Sequence, residues 1–171
     1  VGRVVTERGV TSVAFELFNV QTGEALLAET VPVPGQSMRA AAHRIADLVF
    51  ERLTGIPGAF STRIAYVSVE GTPPSRRYRL VVSDADGFNA RNVTESSEPI
   101  MSPTWSPDGQ DIAYVSFETR TSAIYVQRLA TGERRRVSAR AGINGAPAFA
   151  PDGRRLAITL SRDGNLDIYI L

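Results

Sequence analysis

The sequence predicts a small α/β domain followed by an all-β region built from β-propeller blades. Three observations predict this fold class. A long amphipathic helix pattern ends near residue 54, a segment rich in glycine and proline follows it at 55–60, and short strand patterns then repeat at a spacing of 44 residues. We therefore expect two domains, at residues 1–60 and 61–171.

The first sixty residues contain patterns for a hairpin and one helix. Residues 12–20 and 25–33 are rich in β-forming side chains and are joined by a short polar turn. The helix pattern runs over 37–54, with Ser37 as a suitable N-cap and Gly55 just after the last turn. Its apolar side chains recur at helical spacing. They are Ala41, Ile45, Leu48, Val49 and Leu53. We expect this face to cover the hairpin.

The repeat is clearest at its turns. Residues 105–109 read Trp-Ser-Pro-Asp-Gly, and residues 149–153 read Phe-Ala-Pro-Asp-Gly, 44 positions later. Proline and glycine suit the second position and the positive-φ position of a tight turn between strands. Four antiparallel strands per repeat describe a propeller blade. The blades are predicted at 62–98, 99–139 and 140–171, with aromatic side chains between them. These are Phe60, Tyr66, Trp105, Tyr114, Tyr125, Phe149 and Tyr169.

The first and third repeats are incomplete. The first lacks a Pro-Asp-Gly turn and the strand before it, and the third ends within its third strand. Each blade of a propeller buries its faces on its neighbours, so two and a half blades do not complete one. We therefore expect the 171 residues, which begin at Val1 with no methionine or signal peptide, to be a piece of a longer chain.

Composition excludes several classes of function. The net charge is +1 and all nineteen basic residues are arginine, which is far from the basic excess of nucleic-acid-binding proteins. With no cysteine, thiolate metal sites and cysteine nucleophiles are excluded. No stretch is long and apolar enough for a membrane span. The arginine run 134–136 fits an outermost strand, because charge discourages edge-to-edge pairing.

Catalytic and metal-binding patterns are weak. His43 is the only histidine, and the sequence around Ser37 approaches a nucleophile elbow but has Arg39 in place of the final glycine. Asp163, Asn165 and Asp167 have the spacing of a calcium loop, yet Ile168 replaces the required glycine. We interpret these residues as structural and expect no enzyme, cofactor or metal.

Several segments together resemble the TolB family of the Tol–Pal system. They read Ala-Ala-His-Arg-Ile-Ala-Asp at 41–47, Gly-Ala-Phe-Ser-Thr-Arg-Ile-Ala-Tyr-Val at 58–67, and Asn-Gly-Ala-Pro-Ala-Phe at 144–149. The resemblance implies an incomplete six-bladed propeller behind part of the family's N-terminal domain, in the Gram-negative periplasm. It also implies a scaffold that supports outer-membrane integrity and cell division and is exploited for bacteriocin import.

The implied partners are the lipoprotein Pal, bound by the propeller, and TolA, bound by a segment upstream of residue 1, with further outer-membrane proteins as additional partners.

Alternate connections of a meander share one face, so loops 118–122 and 140–146 should adjoin, opposite the Pro-Asp-Gly turns. The candidate partner-binding residues are Glu118, Thr119, Arg120, Ile143 and Asn144. Relatives often carry histidine at the position of Ile143. The alternative is the propeller of a prolyl-oligopeptidase-like hydrolase, which a Gly-x-Ser-x-Gly motif after residue 171 would indicate.

Overall fold

The computed structural model describes residues 1–162 and 164–171. These residues form two compact units. The first comprises Val1–Arg63 with Asp84–Phe88, and the second comprises Ile64–Ser83 with Asn89–Leu171.

The first unit contains a three-stranded antiparallel sheet with the order β1-β2-β3. Its strands are β1 (Gly2–Glu7), β2 (Val10–Phe18) and β3 (Ala25–Pro32). The hairpin of β2 and β3 was predicted from sequence, whereas β1 was not. Most of β1 is exposed, and it carries charged side chains at Arg3 and Glu7. It therefore lacks the buried apolar face by which a strand is recognised in a sequence. Pairing with β2 along its whole length holds it in place.

Helix α1 (Met38–Thr54) follows a short 3-10 turn at Pro34–Gln36. The predicted caps are confirmed, because the Ser37 hydroxyl accepts a hydrogen bond from the Ala40 amide at 3.2 Å and Gly55 ends the helix with φ 72°. The apolar face packs on Phe15 and Val31 of the sheet. Leu53 is the exception to the predicted face, since it is 61% exposed in the last turn of the helix, outside this cluster.

A buried carboxylate joins α1 to the segment that follows it. Asp47 is only 5% exposed, and it accepts hydrogen bonds from the Phe60 amide at 2.7 Å and the Ser61 amide at 3.1 Å. Burial alone would raise the pKa of Asp47, but the hydrogen bonds from Ser61 and Phe60 outweigh burial and lower it. The side chain is therefore ionised at neutral pH and fixes the backbone of residues 60–61.

The second unit contains three antiparallel sheets, one for each repeat. The first is β4-β5-β6, from β4 (Arg63–Glu70), β5 (Arg77–Asp84) and β6 (Arg91–Ser96). The second has the order β10-β9-β8-β7, from β7 (Ile100–Trp105), β8 (Asp111–Ser116), β9 (Ala123–Arg128) and β10 (Arg134–Ser138). The third is β11-β12-β13, from β11 (Asn144–Phe149), β12 (Leu156–Leu160) and β13 (Asp167–Ile170). These sheets are successive propeller blades, and within the described residues they do not close into a ring.

Each face of the second sheet is covered by a neighbouring sheet. On one side an apolar cluster joins Leu80 and Val82 of the first sheet to Ile112 and Tyr114. On the other side a second cluster joins Ala113 and Ile124 to three side chains of the third sheet. These are Leu156, Ile158 and Leu160. Alternate residues of one strand thus serve opposite cores, as the pleat requires.

The predicted aromatic core is only partly correct. Tyr114 and Tyr125 are buried and stack with ring centroids 5.9 Å apart. Phe60 and Tyr66 are exposed instead, and Phe60 packs edge-on against Phe50 in the first unit. Phe60 and Tyr66 were predicted to be buried because they occupy positions at the start of the first repeat similar to those of buried aromatic residues in the second. Position in the repeat alone does not show which side chains a neighbouring sheet covers.

The Pro-Asp-Gly turns have the expected backbone, with φ 66° at Gly109 and 68° at Gly153. We expect Gly109→Ala and Gly153→Ala each to lower the free energy of unfolding by about 1 kcal/mol, because a Cβ is unfavourable at positive φ. Gly145→Ala is the control, since its φ is not positive and an added Cβ meets nothing nearer than 3.9 Å. Denaturation midpoints test this, and two unchanged midpoints would contradict the turn assignment.

Candidate partner-binding surface

The loop between β8 and β9 (117–122) and the loop between β10 and β11 (139–143) lie side by side. The Ser122 hydroxyl accepts a hydrogen bond from the Asn144 amide at 2.8 Å and lies 3.5 Å from the Gly142 carbonyl oxygen. The predicted adjacency of the two loops is therefore confirmed. We call the exposed part of these loops the upper surface.

Glu118 is tied to the outermost strand. Both of its carboxylate oxygens accept hydrogen bonds from Arg134, at 2.8 and 2.9 Å, and the Arg134 guanidinium lies 4.3 Å from the centre of the Tyr125 ring. Partial burial alone would raise the pKa of Glu118, but hydrogen bonds from Arg134 and Tyr125 hold it below its ordinary value. Strand β10 is at the edge of its sheet as predicted, and Arg134 additionally anchors the loop.

Thr119 and Arg120 form the exposed tip of the first loop. Arg120 adopts a left-handed backbone with φ 64°, and its amide donates to the Phe117 carbonyl oxygen at 2.7 Å. Such a conformation is uncommon for a residue other than glycine. No sequence signal marked this position, because the tip Thr-Arg-Thr contains neither glycine nor asparagine.

Asn144 does not lie on the upper surface, because it is 1% exposed. Its Oδ1 accepts hydrogen bonds from the Ser138 hydroxyl at 2.7 Å and the Arg140 amide at 2.9 Å, and its Nδ2 donates to the Arg140 carbonyl oxygen at 2.7 Å. The prediction that Asn144 contacts a partner directly therefore does not fit its burial. Its side chain shapes the second loop instead. The preceding residue, Ile143, is 52% exposed.

The opposite ends of the strands carry the other set of turns. The Leu129 amide donates to the Gln110 carbonyl oxygen at 2.9 Å, so the β7–β8 and β9–β10 turns meet there. Gln110 and Thr131 are both exposed on these turns. They supply control positions that are removed from the upper surface.

The residues weighed as catalytic have structural contacts. Ser37 caps α1, and the His43 imidazole lies 3.1 Å from an Asp86 carboxylate oxygen. The sequence has no acid near His43 that would predict this contact, because Asp86 is 43 positions away. Asp163 of the calcium-like spacing is outside the described residues. Among residues 1–162 and 164–171, no three His, Cys, Asp or Glu side chains gather into a metal-binding group, and no helix could span a membrane.

Comparison with known proteins places the repeats in a family. The family model described as "TolB beta propeller domain" matches residues 50–171. The chain belongs to the TolB family. This agrees with the resemblance drawn from the helix, junction and repeat segments.

Individual TolB proteins support the assignment. The chain is 60% identical over 132 residues to "Tol-Pal system protein TolB" of Methylococcus capsulatus, covering 77% of this chain and 31% of that protein. It is 51% identical over 159 residues to the protein of that name from Alcanivorax borkumensis, covering 92% and 36%. Thus the chain spans about a third of the length of these relatives.

A solved structure agrees with the fold. The crystal structure of TolB from Acinetobacter baumannii is 44% identical and superposes with a TM-score of 0.88. The match covers 99% of this chain and 43% of that one. The sheets and helix described above therefore recur in a TolB structure that is more than twice as long.

Proposed function

We propose that the chain is part of a non-enzymatic periplasmic scaffold of the Tol–Pal system. Its complete form would carry a six-bladed propeller that binds the lipoprotein Pal and an upstream segment that binds TolA. Through these partners and further outer-membrane proteins, it would support outer-membrane integrity and cell division. Bacteriocins would exploit the same protein during their import. The support is the 51–60% identity to Tol–Pal proteins named TolB.

One structural observation carries the choice of surface. The hydrogen bonds of Ser122 join the loop between β8 and β9 to the connection between β10 and β11, and we propose that their exposed residues act as one patch. Thr119, Arg120 and Ile143 can reach a partner from this patch. Glu118 and Asn144 act behind it, because one is held by Arg134 and the other is buried. We propose the first three as contacts and the other two as positioning residues.

The hydrolase alternative has less support. The relatives with high identity are TolB proteins, so we favour the binding scaffold.

Titration of the full-length protein with Pal from the same organism tests the proposal. Thr119→Ala combined with Ile143→Ala should weaken binding by about tenfold, because a few central side chains dominate an interface. Gln110→Ala combined with Thr131→Ala should leave the affinity unchanged, since those turns lie at the other ends of the strands. Equal affinities for the two double variants would place the Pal interface elsewhere.

A further inference from the structure

The upper surface carries two arginine charges that no ion pair among the described residues neutralises. Its loops contain one acid, Glu118, and both oxygens of this acid are occupied by Arg134. Arg120 and Arg140 are exposed, and neither forms an ion pair within the described part of the chain. The turns at the opposite ends carry acids as well as arginines, with Asp152 lying 3.5 Å from Arg155.

Arg120 has an unfavourable backbone conformation for a residue other than glycine. At φ 64°, a residue with a Cβ makes the folded protein less stable than glycine would. Nothing in the described residues compensates through the guanidinium, which makes no ion pair. Strained positions of this kind cluster at functional sites. Arg8, Asn89, Ser102 and Ala146 share this backbone region, so the strain alone does not assign a role to Arg120. What sets Arg120 apart is an exposed guanidinium at the tip of the loop.

The second arginine is presented from a fixed backbone. Asn144 bonds both the amide and the carbonyl oxygen of Arg140, at 2.9 and 2.7 Å. Fixing the main chain in advance reduces the ordering cost when a partner binds. Ile143 lies three positions further along the same loop and supplies an exposed apolar side chain.

We propose that Arg120 and Arg140 bind carboxylates of an acidic protein segment, with Ile143 as the apolar contact beside them. This inference rests on the proposed function and specifies the chemistry of the Pal surface that meets these loops. Guanidinium groups pair with carboxylates through two parallel hydrogen bonds. An apolar centre with charged side chains around it is typical of protein interfaces. An anionic membrane would instead call for clusters of about four to eight cations.

The test measures Pal binding and thermal stability together, in the full-length protein at several salt concentrations. Arg120→Gly should weaken binding about threefold to tenfold and flatten its salt dependence, because a charge contact is lost. The same variant should raise Tm by about 1–3 °C, since glycine relieves the left-handed strain. Arg140→Gln should weaken binding similarly without raising Tm. Arg120→Lys should retain most of the salt dependence.

Arg154→Gln is the matched control, because it removes one exposed positive charge from a Pro-Asp-Gly turn. It should bind Pal as the unaltered protein does. If Ile143→Asp abolishes binding while both arginine variants keep full affinity and salt dependence, the acidic-segment proposal is overturned and the proposed function stands. If all three bind normally, the proposed surface is wrong as well. If the two arginine variants lose binding to anionic-lipid vesicles but keep normal binding to Pal, the proposal is also overturned.

Discussion

Gly58→Ala is expected to be the most damaging small substitution in the first unit. A Cβ at residue 58 would lie 2.5 Å from the Cα of Asp47 and would also collide with its Oδ1. The helix backbone cannot yield as a flexible side chain can, so α1 and residues 58–61 must separate. That movement breaks the hydrogen bonds from the Phe60 and Ser61 amides to Asp47. We expect a loss of about 3 kcal/mol in the free energy of unfolding.

Thermal unfolding of the full-length protein, with hydrogen exchange of the Phe60 and Ser61 amides, measures this loss. Both amides should exchange faster in the variant, since their acceptor is displaced. Gly145→Ala makes the same chemical change where an added Cβ meets nothing nearer than 3.9 Å, and it should have little effect. Unaltered protection of the two amides in Gly58→Ala would show that the close approach to Asp47 is not maintained in solution.

Asn144→Ala should lower both stability and Pal affinity, although residue 144 is buried. The substitution leaves the Arg140 amide, the Arg140 carbonyl oxygen and the Ser138 hydroxyl without their partner. Unmet polar groups at a buried site cost about 1–3 kcal/mol each, and partial access of water to the exposed loop reduces the sum, so we expect about 3 kcal/mol. Release of the 139–143 backbone should also weaken Pal binding by about tenfold.

Calorimetric unfolding and Pal titration distinguish this indirect effect from a direct contact. Asn92→Ala, at an exposed asparagine of β6, provides the control and should alter neither quantity strongly. Asn144→Asp keeps the acceptor but places a carboxylate oxygen against the Arg140 carbonyl oxygen, so it should also be destabilising. A variant Asn144→Ala with full stability and normal Pal affinity would show that the side chain does not hold the loop.

Sequence periodicity predicted the elements that bury apolar side chains and recur. The helix with its Ser37 and Gly55 caps and strands β8, β9 and β10 were predicted to within about one residue at their ends. Strand β7 begins at Ile100, whereas the sequence predicted a shorter strand starting at Thr104. Strand β1 was missed because pairing, not burial, stabilises it. Leu53 was assigned to the buried face because helical spacing says which side a residue faces and not where the covering sheet ends.

The candidate surface was predicted less completely. Chain topology was enough to bring the loops of Thr119 and Ile143 together. The burial of Asn144, the pairing of Glu118 with Arg134 and the left-handed backbone of Arg120 depend on tertiary contacts. Likewise, Asp86 approaches His43 only because a turn 43 residues away folds against α1.

The second sheet has a consequence for how damage spreads through the blades. Its two faces complete both apolar clusters, whereas the first and third sheets each contribute to one. Melting of β8 and β9 would therefore expose both cores in a single step, whereas melting of the first or the third sheet would expose one of these two clusters. The second sheet thus couples the two cores into one cooperative unit.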